Sequence, residues 1–103
     1  MTVRLFTFIC EIGGGTYCAQ AYGADVESAV REWTARIRRE RWVERLSEQV
    51  ADQVIQDWDE RDLPPVKLDG LSGVWCMSGL VDEIQFFVNI VESAWAPNAG
   101  TLN

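Results

Sequence analysis

The stretch that decides the fold is FTFICEIGGGTYCAQAY, residues 6–22, in which two runs of strand-forming residues flank three consecutive glycines. Glycine adopts the positive φ values that tight reversals require, and alternating apolar residues are typical of half-buried strands. The stretch therefore predicts a β-hairpin, with strands at about residues 3–12 and 16–22. A loop made of all three glycines would place Cys10 opposite Cys18, where a disulfide could form in an oxidising compartment.

Two apolar stripes at helical spacing follow the hairpin. The first stripe is Val26, Ala29, Val30, Trp33 and Ile37, and the second is Val43, Leu46, Val50, Ala51, Val54, Ile55 and Trp58. The second stripe is rotated by about 100° from the first along an ideal helix, so one straight helix could bury only one stripe. We therefore predict a helix capped by Asp25, a break between Arg38 and Ser47, and a second helix. A single long curved helix is the alternative, because good helix formers run throughout the segment.

A second pair of strands is predicted after the helical region. The prolines at positions 64 and 65 end the helix, and apolar runs at residues 74–80 and 84–93 flank a short polar reversal. The order β-β-α-α-β-β indicates an α+β fold, a four-stranded antiparallel sheet with helices packed on one face. We expect one domain over residues 1–95 and a flexible tail over residues 96–103. The predicted core comprises Phe6, Phe8, Val30, Trp33, Ile37, Val50, Val54, Trp75, Phe86, Val88 and Ile90.

Composition argues against several classes of protein. The 103 residues are 48 % hydrophobic, yet no apolar run approaches the roughly 20 residues of a membrane-spanning helix, and the N-terminus lacks the pattern of a secretory signal. We therefore expect a cytoplasmic protein with reduced cysteines and no membrane partner. Histidine, the commonest general base, is absent. We accordingly expect no catalytic residue, no cofactor and no metal.

Charge is unevenly distributed along the chain. The net charge is −7, which disfavours a nucleic-acid partner, because phosphate backbones are bound by dense positive charge. Six of the nine basic residues fall within residues 31–45, and eight of the sixteen acids fall within residues 44–69. Two surfaces are therefore candidates for binding a protein partner. They are the acidic cluster Asp57, Asp59, Glu60 and Asp62, and the basic, aromatic group Arg38, Arg41 and Trp42.

Each candidate surface can also be interpreted as ordinary solvent-exposed surface with no partner. Carboxylates at the C-terminus of a helix oppose its dipole, so the acidic cluster has no reason in stability alone and suits a basic partner. A solvated acidic surface is the alternative interpretation. The arginines are interleaved with glutamates at helical spacing. This pattern is also typical of an exposed helix whose own side chains form ion pairs with one another.

Two further possibilities remain open at this point. The first strand has apolar residues on both faces, with Val3, Leu5 and Ile9 on one and Phe6 and Phe8 on the other. One helical layer covers one face, so a homodimer could bury the other. A small enzyme or small-molecule-binding domain is the alternative function, with a pocket between sheet and helices that uses Cys76 or carboxylates as its polar groups.

Four segments carry a resemblance to known proteins. FICEIGGGTY at 8–17, AVREW at 29–33, GVWCMSGL at 73–80 and VNIVES at 88–93 resemble short uncharacterised bacterial proteins that contain a domain of unknown function. The order of strand, glycine turn, strand and helix also resembles HicB-type antitoxin domains. Size and acidity resemble those of small bacterial immunity proteins. These resemblances imply a non-enzymatic protein-interaction module, and our leading hypothesis is an inhibitor that masks a basic partner with its acidic helix end.

Overall fold

The computed structural model describes residues 3–93 and confirms the α+β class. The elements are β1 (Arg4–Ile12), β2 (Gly15–Gly23), α1 (Val26–Glu40), a 3₁₀ turn (Glu44–Leu46), α2 (Ser47–Arg61), β3 (Val66–Lys67), β4 (Val74–Val81) and β5 (Ile84–Ser93). All strand pairs are antiparallel, in the order β2-β1-β5-β4-β3. The sheet thus has five strands, and the prediction of four was wrong by one. The tail predicted at residues 96–103 lies outside the described residues.

The first hairpin closes with a turn of two residues. Gly13 and Gly14 have φ values of 57° and 84°, as in the type I′ turn that matches the twist of paired strands. Gly15 already belongs to β2, so Cys10 pairs with Tyr17 and Cys18 pairs with Ile9. The loop of all three glycines, on which the pairing of Cys10 with Cys18 depended, therefore does not form. Cys10 and Cys18 lie on opposite faces of the sheet, which rules out the disulfide considered above.

The predicted break between the helices is confirmed. α1 ends where Arg41 adopts a left-handed conformation with φ of 59° and donates its backbone N–H to the carbonyl of Ile37. The buried hydroxyl of Ser47 accepts a hydrogen bond from the N–H of Val43 at 2.9 Å and donates to the carbonyl of Glu44 at 2.8 Å. These bonds hold the chain reversal that redirects α2. The two apolar stripes can therefore face the same sheet.

The strand that the sequence did not predict is β3. Its two residues, Val66 and Lys67, pair with Cys76 and Trp75 at the outer edge of β4. A two-residue strand is too short to show alternation, and here it follows two prolines, which are typical of a loop.

The core lies between the helices and one face of the sheet. The ring of Trp33 stacks on that of Phe8, with centroids 4.9 Å apart. Every predicted core residue is buried except Trp75, which is only partly buried and contacts Phe6 near the end of the sheet. Within residues 3–93, neither helix is long and apolar enough to cross a membrane.

Candidate functional site

The two helices are joined by ion pairs that run between a basic stretch of α1 and an acidic stretch of α2. Arg31 on α1 lies 2.7 Å from the carboxylate of Asp59 on α2, and Arg38 pairs with Asp52 about two turns away. The pairing follows from an antiparallel arrangement in which the start of α1 meets the end of α2. Two of the six bases at residues 31–45 and two of the eight acids at residues 44–69 are therefore paired across the helices.

Half of the predicted acidic cluster stabilises the fold. Asp57 is 8 % exposed and accepts hydrogen bonds from the side chains of Gln53, at 2.8 Å, and Arg61, at 3.3 Å. The hydrogen bonds from Arg31 lower the pKa of Asp59 and keep its carboxylate charged. Asp57 and Asp59 thus have partners inside the molecule.

The other two predicted acids are exposed. Asp62 takes a left-handed conformation at the end of α2, with φ of 54°. Glu60 projects from the last turns of that helix, and neither carboxylate has an ion-pair partner among residues 3–93. They remain available to a ligand outside the chain.

The predicted group of Arg38, Arg41 and Trp42 divides into separate roles. Arg38 pairs with Asp52 across the helices, and Arg41 occupies the exposed left-handed position that ends α1. Trp42 packs against the core, and the guanidinium of Arg36 lies 4.5 Å from its ring centroid. Such a stacked cation stabilises the indole locally. Of these three side chains, Arg41 alone has neither an ion-pair partner nor a core contact among the described residues.

The exposed side of α2, together with the β4–β5 turn, forms a larger acidic surface. Its exposed positions before the last residue are Glu48, Gln49, Asp52, Gln56, Asp59 and Glu60. The side-chain amide of Gln49 donates to Asp82 at 3.1 Å, which joins this helix to the β4–β5 turn. We call the carboxylates of Glu48, Asp52, Asp59, Glu60, Asp82 and Glu83 the acidic face. The spacing of exposed acids along residues 48–60 was the available signal, whereas the contribution of the turn depends on tertiary structure.

The opposite side of the sheet is covered by no helix of the described chain, and we call it the open face. Strand alternation and register place on it Leu5, Thr7, Ile9, Glu11, Thr16, Cys18, Gln20, Tyr22, Val66, Val74, Cys76, Ser78, Leu80, Gln85, Phe87, Asn89, Val91 and Ser93. Glu11 is the only charged residue among them. Several of the large apolar ones are well exposed, including Tyr22 at 57 %, Leu80 at 59 % and Phe87 at 48 %.

A groove of about 520 Å³ lies on the open face beside the chain that enters β3. Its walls include Leu63, Val66, Cys76, Phe87 and Asn89. The alternative function predicted a pocket between sheet and helices, and a groove of about 460 Å³ between α2 and β4 has Asp57 among its walls. Cys76, the other polar group of that prediction, lines the groove on the open face instead.

The three cysteines differ in how far their side chains are exposed to solvent. Cys10 is buried in the core, and burial raises the pKa of its thiol to about 11. Cys18 is exposed on the open face and Cys76 is half-buried in the groove. A thiol with so high a pKa stays protonated near neutral pH, so Cys10 acts as a small core residue and not as a nucleophile.

Neither a metal site among residues 3–93 nor a similar protein indicates what these surfaces bind. Within residues 3–93, no group of three Cys, Asp or Glu side chains is arranged to hold a metal ion. Comparisons of the chain with protein-family models, curated proteins and solved structures find no match in any of the three.

Proposed function

We propose that this protein is a non-enzymatic interaction module that binds a basic partner protein through its acidic face, in the manner of an immunity protein or an antitoxin. The observation that carries the proposal is the imbalance that remains after internal pairing. Among residues 3–93, ion pairs engage six acids and six bases, which leaves ten of the sixteen acids and three of the nine bases without one. Four of those ten acids, Glu48, Glu60, Asp82 and Glu83, belong to the acidic face.

The stability of the free protein does not account for these exposed acids. Glu60 lies in the last turn of α2, where a negative charge opposes the helix dipole, and Glu83 occupies a turn with φ of 64°. Glu48 and Asp52 are like charges four residues apart on α2, a spacing that destabilises a helix. A partner with a complementary positive surface would relieve this repulsion and be attracted from a distance.

The proposal is tested by affinity capture from the host, followed by kinetics with the partner that is identified. The acidic-face variant carries Glu60→Gln and Glu83→Gln. A matched control carries Glu27→Gln and Glu40→Gln, which change the net charge equally but remove acids that α1 already neutralises. We expect wild type and control to associate with a basic partner at similar rates, and the acidic-face variant to associate several-fold more slowly at low salt.

Salt provides the second readout. Association of wild type should slow as ionic strength rises, because screening removes the long-range attraction, and the acidic-face variant should show a flatter dependence. Equal slowing by the two variants would contradict the assignment to the acidic face. A partner whose association is indifferent to salt would overturn the proposal as a whole.

A further inference from the structure

We propose that the open face is a dimerisation surface, on which a second copy of this chain packs sheet against sheet about a two-fold axis. The inference goes beyond the proposed function, because it uses the side of the sheet opposite the acidic face. The dimer would have four layers, with the two sheets inside and the helices outside. Each acidic face would then remain accessible, so the assembly would present two of them.

The first argument is the distribution of charge between the two sides of the sheet. Asp, Glu, Lys and Arg make up 24 % of the chain, yet the open face contains one charged residue, Glu11. Depletion of charge is the compositional signature of the centre of a protein interface. Glu11 lies in the last pair but one before the hairpin turn, between Thr16 and Phe87, and it lines the groove beside Phe87. The turn end of the face, where this carboxylate lies, must therefore stay hydrated in the dimer.

The second argument concerns the polar groups on the open face. Gln20 donates to the hydroxyl of Thr7 at 3.0 Å, and that hydroxyl shares a hydrogen bond with Ser93. The three side chains lie on three adjacent strands and are hydrogen-bonded to one another within one copy. For these three, burial costs less than for polar groups without a partner, whereas Asn89 and Ser78 would need partners or water in the dimer.

The third argument is size. The four long strands have 9, 9, 8 and 10 residues. At about 3.3 Å per residue and about 4.8 Å between strands, they form a face of about 30 by 20 Å. Two such faces in contact would bury on the order of 1,200 Å², the lower limit of specific stable interfaces. Because an interface at this lower limit is also opposed by the net charge of −7 on each copy, we expect dissociation in the micromolar range.

The occupant is a second copy, for electrostatic reasons. A molecule with a net charge of −7 repels its own kind, so self-association is least opposed at the surface with the fewest charges, and the open face has one, Glu11. The exposed Phe87 and the groove beside it, whose walls are mostly apolar but include Glu11 and Asn89, lie on the same face, as a self-complementary interface needs.

At the β2 edge, packing by faces is also favoured over pairing by edges. β2 forms one edge of the sheet, and the guanidinium of Arg36 donates to the carbonyl of Gln20 on that edge at 3.0 Å. A charged side chain that occupies an edge carbonyl obstructs the addition of another strand.

The test is analytical ultracentrifugation of the full chain from low to high micromolar concentration. The face variant carries Tyr22→Lys and Phe87→Lys, both at exposed positions where the fold tolerates a polar side chain. The matched control carries Ala35→Lys and Gln56→Lys on the exposed sides of the helices, with the same change in net charge. We expect wild type and control to dimerise alike, and the face variant to dimerise more than about tenfold more weakly. Circular dichroism and melting at low concentration verify that each variant is folded.

Salt distinguishes this inference from the proposed function. Dimerisation of like-charged molecules through a face that carries one acid and no base should strengthen as salt screens their repulsion, whereas binding of a basic partner should weaken. A wild type that stays monomeric at high micromolar concentration would overturn the dimer while leaving the acidic face untouched. A dimer that survives in the folded face variant, or one that weakens as salt rises, would also overturn it.

Discussion

Trp33 is the residue whose loss should cost this fold the most. Its indole is 1 % exposed and lies parallel to the ring of Phe8, which joins α1 to β1. Trp33→Ala should lower the free energy of unfolding by about 3–5 kcal/mol, because it removes apolar contacts and leaves a cavity. That is a large fraction of the roughly 5–15 kcal/mol that stabilises a small domain. Urea denaturation measures the change.

The exposed residue next to Trp33, Glu32, supplies the control for the denaturation of Trp33→Ala. Glu32→Ala on the outer side of α1 should change stability by no more than about 0.5 kcal/mol. Should the two variants unfold at similar urea concentrations, the packing of α1 on the sheet described above would be wrong.

Single residues also show where inference from the sequence ends. The burial of Trp33 could be predicted from helical spacing, because the apolar stripe of an amphipathic helix packs against the core. The engagement of Asp59 could not, since its partner Arg31 lies 28 residues away and meets it only when the helices lie antiparallel. Asp57 likewise appeared to be part of an exposed cluster until α2 turned it inward.

Among the elements, the β1–β2 turn offers a sharp test of backbone conformation. Gly13 and Gly14 both have positive φ, and a Cβ at either would meet no atom within 4 Å, so conformation alone decides the effect of substitution. Gly14→Ala should cost about 1 kcal/mol, because the left-handed region is unfavourable for alanine. Gly13→Asn should leave stability unchanged or slightly raised, since Asn-Gly is a preferred type I′ pair. Thermal or urea denaturation of the two variants measures the difference, and a Gly14→Ala protein as stable as Gly13→Asn would contradict the two-residue turn.

The elements differ in how far local sequence determined them. The break between α1 and α2 could be predicted, because two apolar stripes out of phase cannot face one sheet from one straight helix. The turn length could not, since three glycines tolerate a two-residue or a three-residue loop equally well. β3 exists because β4 offers it a pairing edge, and no local pattern encodes that.

At the scale of the whole molecule, the two layers differ most in their charge. The apolar character of both faces of β1 indicated from the sequence that one helical layer would leave apolar surface uncovered. The extent of the open face could not be predicted, because it depends on the order β2-β1-β5-β4-β3 and on which residues of each strand share a side. The acidic face likewise depends on the position of the β4–β5 turn beside α2.

The last prediction relates this charge distribution to stability. Glu60→Gln with Glu83→Gln should raise the free energy of unfolding at low ionic strength by about 0.3–0.5 kcal/mol, because it relieves repulsion and an unfavourable helix dipole. The gain should shrink as added salt shortens the Debye length to a few ångströms. Glu27→Gln with Glu40→Gln removes the same charge but breaks ion pairs with Arg31 and Arg36, so that variant should be no more stable than wild type.

Thermal melts at two salt concentrations separate these outcomes. If both variants gained equally, net charge alone would explain the effect, and the acidic face would have no special role in the stability of the free protein. If the acidic-face variant is stabilised while its association with a basic partner slows, the same two carboxylates oppose folding and favour binding. Carboxylates of that kind are expected where a surface serves a partner at some cost to the stability of the free molecule.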